Sequence, residues 1–86
     1  MKTAFALLIQ YEAPVIPAET VCADFFAGMT YKTFLARVDS GEMDLLVTRL
    51  GSSRKAPRVV HVNDLADYLD RWRDKAESEA KKLRSA

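Results

Sequence analysis

Pro14, Pro17, Gly28, Gly41, Gly51 and Pro57, the chain's full complement of both residue types, mark out where one element must hand over to the next. Proline lacks a backbone donor and constrains its predecessor, so Pro14-Val15-Ile16-Pro17 forbids continuous helix and leaves Val15 and Ile16 extended, a strand of two residues at most. Pro17 suits the first turn of a new helix, and Val21, Cys22, Phe25 and Phe26 follow at spacings that build one apolar face ending at Gly28. Thr30 is placed as the N-cap of the next helix, Tyr31 to about Ser40, with Gly41 as its stop. Along it Phe34, Leu35 and Val38 point one way, and Tyr31, Lys32, Thr33, Arg37 and Ser40 the other. Two short helices around a turn of about three residues match the helix-turn-helix pattern.

Ahead of these, Thr3 to Tyr11 is an apolar run that reads as a short helix, with a strand as competitor, because short apolar runs do not discriminate by period. Its apolar stretch from Ala4 to Ile9 is far too short to span a bilayer. Gln10, Tyr11 and Glu12 interrupt it without a small-residue cleavage pattern, so the mature chain is expected to start at Met1. At 86 residues, 49% hydrophobic and 29% charged, the chain has the size and balance of one soluble globular domain. Its single cysteine, Cys22, cannot form an internal disulfide, which fits a reducing cytoplasm.

The formal net charge of +1 conceals a segregation. Thr48 to Val62 holds Arg49, Arg54, Lys55 and Arg58 and no acid. Leu45 to Leu50 and Arg58 to Val62 are β-prone, and the segment 51–57 between them is turn chemistry, so this stretch predicts a β-hairpin with a basic tip. Asn63 and Asp64 are candidate caps for a last helix whose acids lie early and whose Lys81, Lys82 and Arg84 lie late, as the macrodipole prefers. In it Leu65, Leu69, Trp72, Ala76 and Leu83 follow a seam near 3.5 residues. Its first part is expected to pack on the domain, with Trp72 closing the core or anchoring a dimer; the polar part beyond is a dimer seam or a frayed tail.

Helix, turn, helix, two-stranded wing and helix is the order of a winged helix-turn-helix of the excisionase-like sort, mainly α with a small β-hairpin and a longer C-terminal helix. The expected division is a DNA-binding domain over 1–72 and a charged helical extension over 73–86. In such a layout the helix 31–40 enters the major groove and the wing 49–58 lies against phosphates. Arg49, Arg54, Lys55 and Arg58 then supply counterion release, and Ser52 and Ser53 hydrogen-bond phosphate oxygens. Arg37 is placed to reach a guanine edge, Lys32 and Tyr31 the backbone, and Thr33 a base or a phosphate. Asp39 and Glu42 weigh against a close fit at the C-terminal end of that helix, which assigns the reading to its N-terminal half.

The sequence also resembles a known family. Thr3-Ala4-Phe5 with Gln10-Tyr11, Val15-Ile16-Pro17, Val21-Cys22-Ala23-Asp24-Phe25-Phe26, Gly41-Glu42, Thr48-Arg49, Ser53-Arg54-Lys55-Ala56 and the run from Val60 to Tyr68 are similar, in order and spacing, to the pyocin activator protein family. The likeness runs to about Arg71. It departs at Leu46, where a proline often follows the leucine, and at Val59, where a glycine often precedes the Val-His pair. The resemblance implies a small bacterial DNA-binding protein, cytoplasmic and nucleoid-associated when bound, that activates transcription of pyocin genes or their prophage relatives. Double-stranded DNA is then the partner, read by a homodimer or by adjacent copies, with RNA polymerase contacted by the N-terminal segment or the last helix. Two other readings stand beside it: a protein-interaction module working through the C-terminal helix, and an excisionase-like architectural factor that bends DNA.

The inventory gives no enzyme. There is no glycine-rich phosphate loop, no metal-spaced ligand set and no nucleophile with a base in pattern, so no catalytic residue, metal or cofactor is expected. His61 and Cys22 read as structural. Asp64, Asp67, Asp70 and Asp74 read as an exposed helical face, and Phe25, Phe26 and Phe34 as core.

Overall fold

The computed structural model describes residues 2–85, Ser85 by its backbone alone. The element order is α1 (Thr3–Tyr11), β1 (Val15–Pro17), α2 (Ala18–Phe25), α3 (Tyr31–Asp39), β2 (Thr48–Arg49), β3 (Arg58–His61) and α4 (Val62–Ser85). The protein is mainly helical with a small antiparallel sheet of order β1-β3-β2. The strand Val15–Pro17 is one residue longer than the two expected. It pairs with β3 in the register Val15 to His61, Ile16 to Val60 and Pro17 to Val59, which makes β3 the central strand. β2 covers only Thr48 and Arg49, opposite Val59 and Arg58, shorter than the β-prone run 45–50. Leu45 is the reason at one end, since its side chain is drawn into the core; at the other the Leu50 amide donates to the Pro57 carbonyl at 2.8 Å and closes the loop.

Helix boundaries follow local hydrogen bonding. α1 is a helix, ended by Glu12 in the left-handed region at φ 56°, where its amide donates to the Leu8 carbonyl. α2 stops at Phe25, short of Gly28, because Phe26 turns to φ −133° and its carbonyl accepts from the Met29 amide. Pro17 stands just before α2 as its N-cap rather than inside the first turn. α3 begins as expected: the Thr30 hydroxyl oxygen accepts from the Thr33 amide at 3.1 Å. It ends at Asp39, and Gly41 takes φ 83° with its amide on the Val38 carbonyl. α4 starts one residue before the anticipated caps. The imidazole Nδ1 of His61 accepts from the Asn63 amide at 3.0 Å, so the cap is the last residue of β3.

Phe34, Ile16, Leu65, Val21 and Val60 are fully buried, one or more from each of α3, β1, α4, α2 and β3, with Leu7 of α1 and Leu45 completing the cluster. Phe25 and Phe26 pack against it only partly buried. Phe26 lies 5.4 Å from Phe34 and 5.9 Å from Tyr68, ring centre to ring centre. Thr3 Oγ1 donates to Asp70 Oδ1 at 2.7 Å and ties α1 to α4; the Tyr11 hydroxyl donates to Asp24 Oδ2 at 2.6 Å and ties α1 to α2. Trp72 neither closes the core nor stands alone: 53% exposed, it leans on Tyr68 with Lys75 Nζ 4.8 Å above its ring. Beyond it α4 is exposed from Arg73 to Glu79 and at Leu83, in a molecule 52 Å long against 29 and 21 Å.

Candidate nucleic-acid interface

One face of α3 is free of the core. Lys32, Thr33, Ala36, Arg37 and Ser40 line a shallow concavity together with Glu42, and Thr33 and Arg37 continue into a second one with Phe26, Gly28, Met29 and Thr30. The 3.6-residue period gathers 32, 33, 36, 37 and 40 on this side and sends Phe34, Leu35 and Val38 to the other. Cys22 fixes the turn from beneath: its buried thiol donates to the Met29 carbonyl at 3.5 Å, and burial pushes its pKa up, the neighbouring Glu19 charge adding to the shift. A thiol so placed is inert packing.

The exposed face differs from the expected set in one member. Tyr31 is half-buried, its ring stacked on Phe34 with centroids 6.2 Å apart, so it packs against the core instead of pointing outward with Lys32. Residues three apart on a helix are neighbours, and stacking removes apolar ring from water. Thr33 keeps a hydroxyl proton to offer, since its oxygen accepts from the Thr30 hydroxyl at 2.9 Å. Arg37 Nε stands 3.4 Å from Glu42 Oε2, an exposed pair of little stability that can exchange for another acceptor. Ala36, which the charge pattern does not single out, sits among these polar groups and leaves room for close approach; its helical spacing from Lys32 and Thr33 is the signal that locates it.

The hairpin carries the other cations. Ser52, Ser53, Arg54 and Lys55 are exposed. The loop is internally ordered: the Ser53 carbonyl accepts from the Ala56 amide at 3.0 Å, Ser53 Oγ from the Lys55 amide at 3.1 Å, and the Arg54 carbonyl from Arg49 Nη1 at 2.7 Å. Gly51, at φ 143°, approaches Ala56 so closely that a Cβ would stand 3.2 Å from the Ala56 methyl.

Arg58 is placed otherwise than a phosphate-contacting residue would be. Its side chain is only 17% exposed, and its guanidinium grips Asp39 with both Nη atoms, Nη2 to Oδ1 at 2.6 Å and Nη1 to Oδ2 at 3.4 Å. Those hydrogen bonds hold the Asp39 carboxyl below the usual carboxylate range against opposing desolvation, helped by the charges of Arg58 and Arg49; Arg58 is raised in return. The acid that seemed to spoil the C-terminal end of α3 is therefore spent on the hairpin. The pair joins residues 39 and 58, so the two candidate elements meet in space.

Among the described residues no group of three histidines, cysteines or acids stands close enough to hold a metal ion, and no helix is long and apolar enough to cross a membrane. The chain is thus a small, mainly helical protein in which a polar, core-free helix face adjoins a basic hairpin. A family model described as pyocin activator protein PrtN matches residues 3–76, and the chain belongs to that family. The match continues past Arg71 to Ala76, within α4. No curated protein and no solved structure matches the chain.

Proposed function

We propose that this protein is a sequence-specific DNA-binding activator of pyocin or prophage-type genes, built as a winged helix-turn-helix. α2, the turn at 26–30 and α3 are the helix-turn-helix, and the hairpin of β2 and β3 is the wing. The observation that carries the reading is the attachment of a cationic, acid-free hairpin to the C-terminal end of α3, a helix that turns a polar face outward, in a chain of the pyocin activator family. α3 enters the major groove, where Arg37 leaves Glu42 for the O6 and N7 of a guanine and Lys32 and Thr33 hold the adjoining backbone. Arg54 and Lys55, with Ser52 and Ser53, neutralise and hydrogen-bond phosphates beside the groove, which fixes the register without reading sequence. A three-turn helix reads only a few base pairs, so selectivity comes from two copies on adjacent sites.

Mobility shifts against the promoter regions of pyocin or prophage genes, with unrelated DNA of equal length as competitor, test the proposal. Retention on promoter DNA is the expected result, and equal binding to both DNAs refutes it. Arg37→Ala is expected to cost ~1 to 3 kcal/mol and to relax preference at one base position. If that variant keeps the full preference, α3 is not the reading helix.

A further inference from the structure

We infer that Asp39 is a positioning residue of the DNA interface, holding the wing to the reading helix through its hydrogen-bonded ion pair with Arg58. The inference rests on the proposed DNA-binding role. It runs against simple electrostatics, because an acid 58% exposed beside a phosphate-binding surface should only repel.

Two hydrogen-bonded contacts meet at one pair of facing strand residues. Asp39, last residue of α3, accepts from both Nη atoms of Arg58, first residue of β3. Arg58 is paired across the strands with Arg49, and Arg49 Nη1 donates to the Arg54 carbonyl in the loop. Asp39 thus anchors the strand residue that faces Arg49, whose own hydrogen bond orders the backbone of Arg54. Among the described residues Asp39 is also the sole hydrogen-bond partner of the Arg58 guanidinium, whose Nε is buried with none. A guanidinium sunk this far cannot remain where it is once its counter-charge is gone. It must turn outward, and the strand end that carries it moves with it. On the wing side the ladder offers little resistance, since β2 contributes two residues and lies at the edge of the sheet, while β1 holds β3 only from Val59 onward.

Two effects of neutralising Asp39 therefore have opposite signs. Charge alone predicts tighter DNA binding, because a repulsion is removed. Loss of the tether predicts weaker binding, because both elements must engage one duplex at fixed spacing and the wing now has to be ordered on binding.

Asp39→Asn, nearly isosteric and neutral, decides between them. The expected result is promoter affinity reduced on the order of tenfold, about the worth of one charged hydrogen-bonded contact, with the salt dependence kept because Arg54 and Lys55 are still present. Thermal unfolding measured alongside shows whether the variant is folded. The charge exchange Asp39→Arg with Arg58→Asp should recover most of the affinity lost by either substitution alone, which a general loss of stability would not do. In the free protein, amide relaxation should show residues 51–55 more mobile in Asp39→Asn than in the parent. Asp39→Asn binding as tightly as the parent, or tighter, overturns the inference, as do unchanged loop dynamics. A parent protein that shows no preference for promoter DNA, with the loop loosened all the same, overturns the functional reading and with it the role of Asp39 at a DNA interface, while the tether itself stands.

Discussion

The sharpest quantitative test concerns the wing tip, where Arg54→Ala with Lys55→Ala removes two cations and leaves the folded contacts intact. Of the basic side chains on α3 and the hairpin, Arg37 is paired with Glu42, Arg58 with Asp39, and Arg49 with the Arg54 carbonyl. Lys32, Arg54 and Lys55 enter no ion pair among the described residues and are the groups free to displace counterions from phosphates. Each such contact contributes about 0.9 to the slope of log affinity against log salt, so the three give about 2.7 per protomer and the double variant about 0.9. Between about 50 and about 200 mM salt the parent should lose on the order of 40-fold in affinity per protomer, and the variant only about 3.5-fold. Fluorescence anisotropy of labelled promoter and scrambled duplexes across a salt series measures both slopes. Phosphate contacts carry no sequence information, so both duplexes should weaken together. The loop's order does not depend on the deleted heads, because its hydrogen bonds use the Arg54 carbonyl and the Lys55 amide. A slope unchanged by the double substitution, or a loss confined to the promoter sequence, would refute the assignment of the wing to the phosphates.

Three further outcomes concern the fold beneath the site. Phe34→Ala deletes a fully buried ring flanked by Phe26 and Tyr31 and should cost about 3–5 kcal/mol, seen as a lowered urea midpoint, a large part of the stability of a domain this size. Glu12→Gly relieves a left-handed conformation at the end of α1, and calorimetry should show stability raised by about 0.5–1 kcal/mol, whereas Glu12→Val should lower it. Urea titrations against pH should show two limbs. The Asp39 carboxyl is lowered in the folded state, so its contribution is whole above the unfolded value of about 3.9 and disappears as pH falls through the folded one; Asp39→Asn should remove that part of the acid limb. The Tyr11 phenol is pushed up to about 12, first by burial and then by its hydrogen bond to Asp24 and that residue's charge. Its contribution is whole below the unfolded value of 10.0 and is lost as pH rises toward the folded one, an alkaline dependence that Tyr11→Phe should abolish.

Much of this architecture is legible locally. The Thr30 cap, the Gly41 stop and the inward trio Phe34, Leu35 and Val38 follow from capping chemistry and period, because these are short-range properties of a backbone that must satisfy its own donors and acceptors. The acid-free run from Thr48 to Val62 likewise announces a cationic element before any fold is known. The structure departs from the local reading where a side chain or strand is claimed by a neighbour that period does not fix. Tyr31 belongs by period to either face, and only the proximity of the Phe34 ring draws it inward. Val15 and Ile16 read as a stray extended pair until β3 arrives from more than forty residues away to complete their ladder.

The sequence by itself determined where α3 could begin and end, which of its residues could enter a core, and that cations would concentrate between residues 48 and 62. Those outcomes depend on dihedral preferences, hydrophobic period and composition, all set within a few residues. Tertiary structure alone decided what the charges do. It sank Arg58 against Asp39 and left Arg54 and Lys55 in water, turning one cation of a run into a strut and leaving its neighbours exposed. Coulomb energy depends on distance and burial, and neither exists until residues 39 and 58 are brought together by the packing of a helix against a sheet.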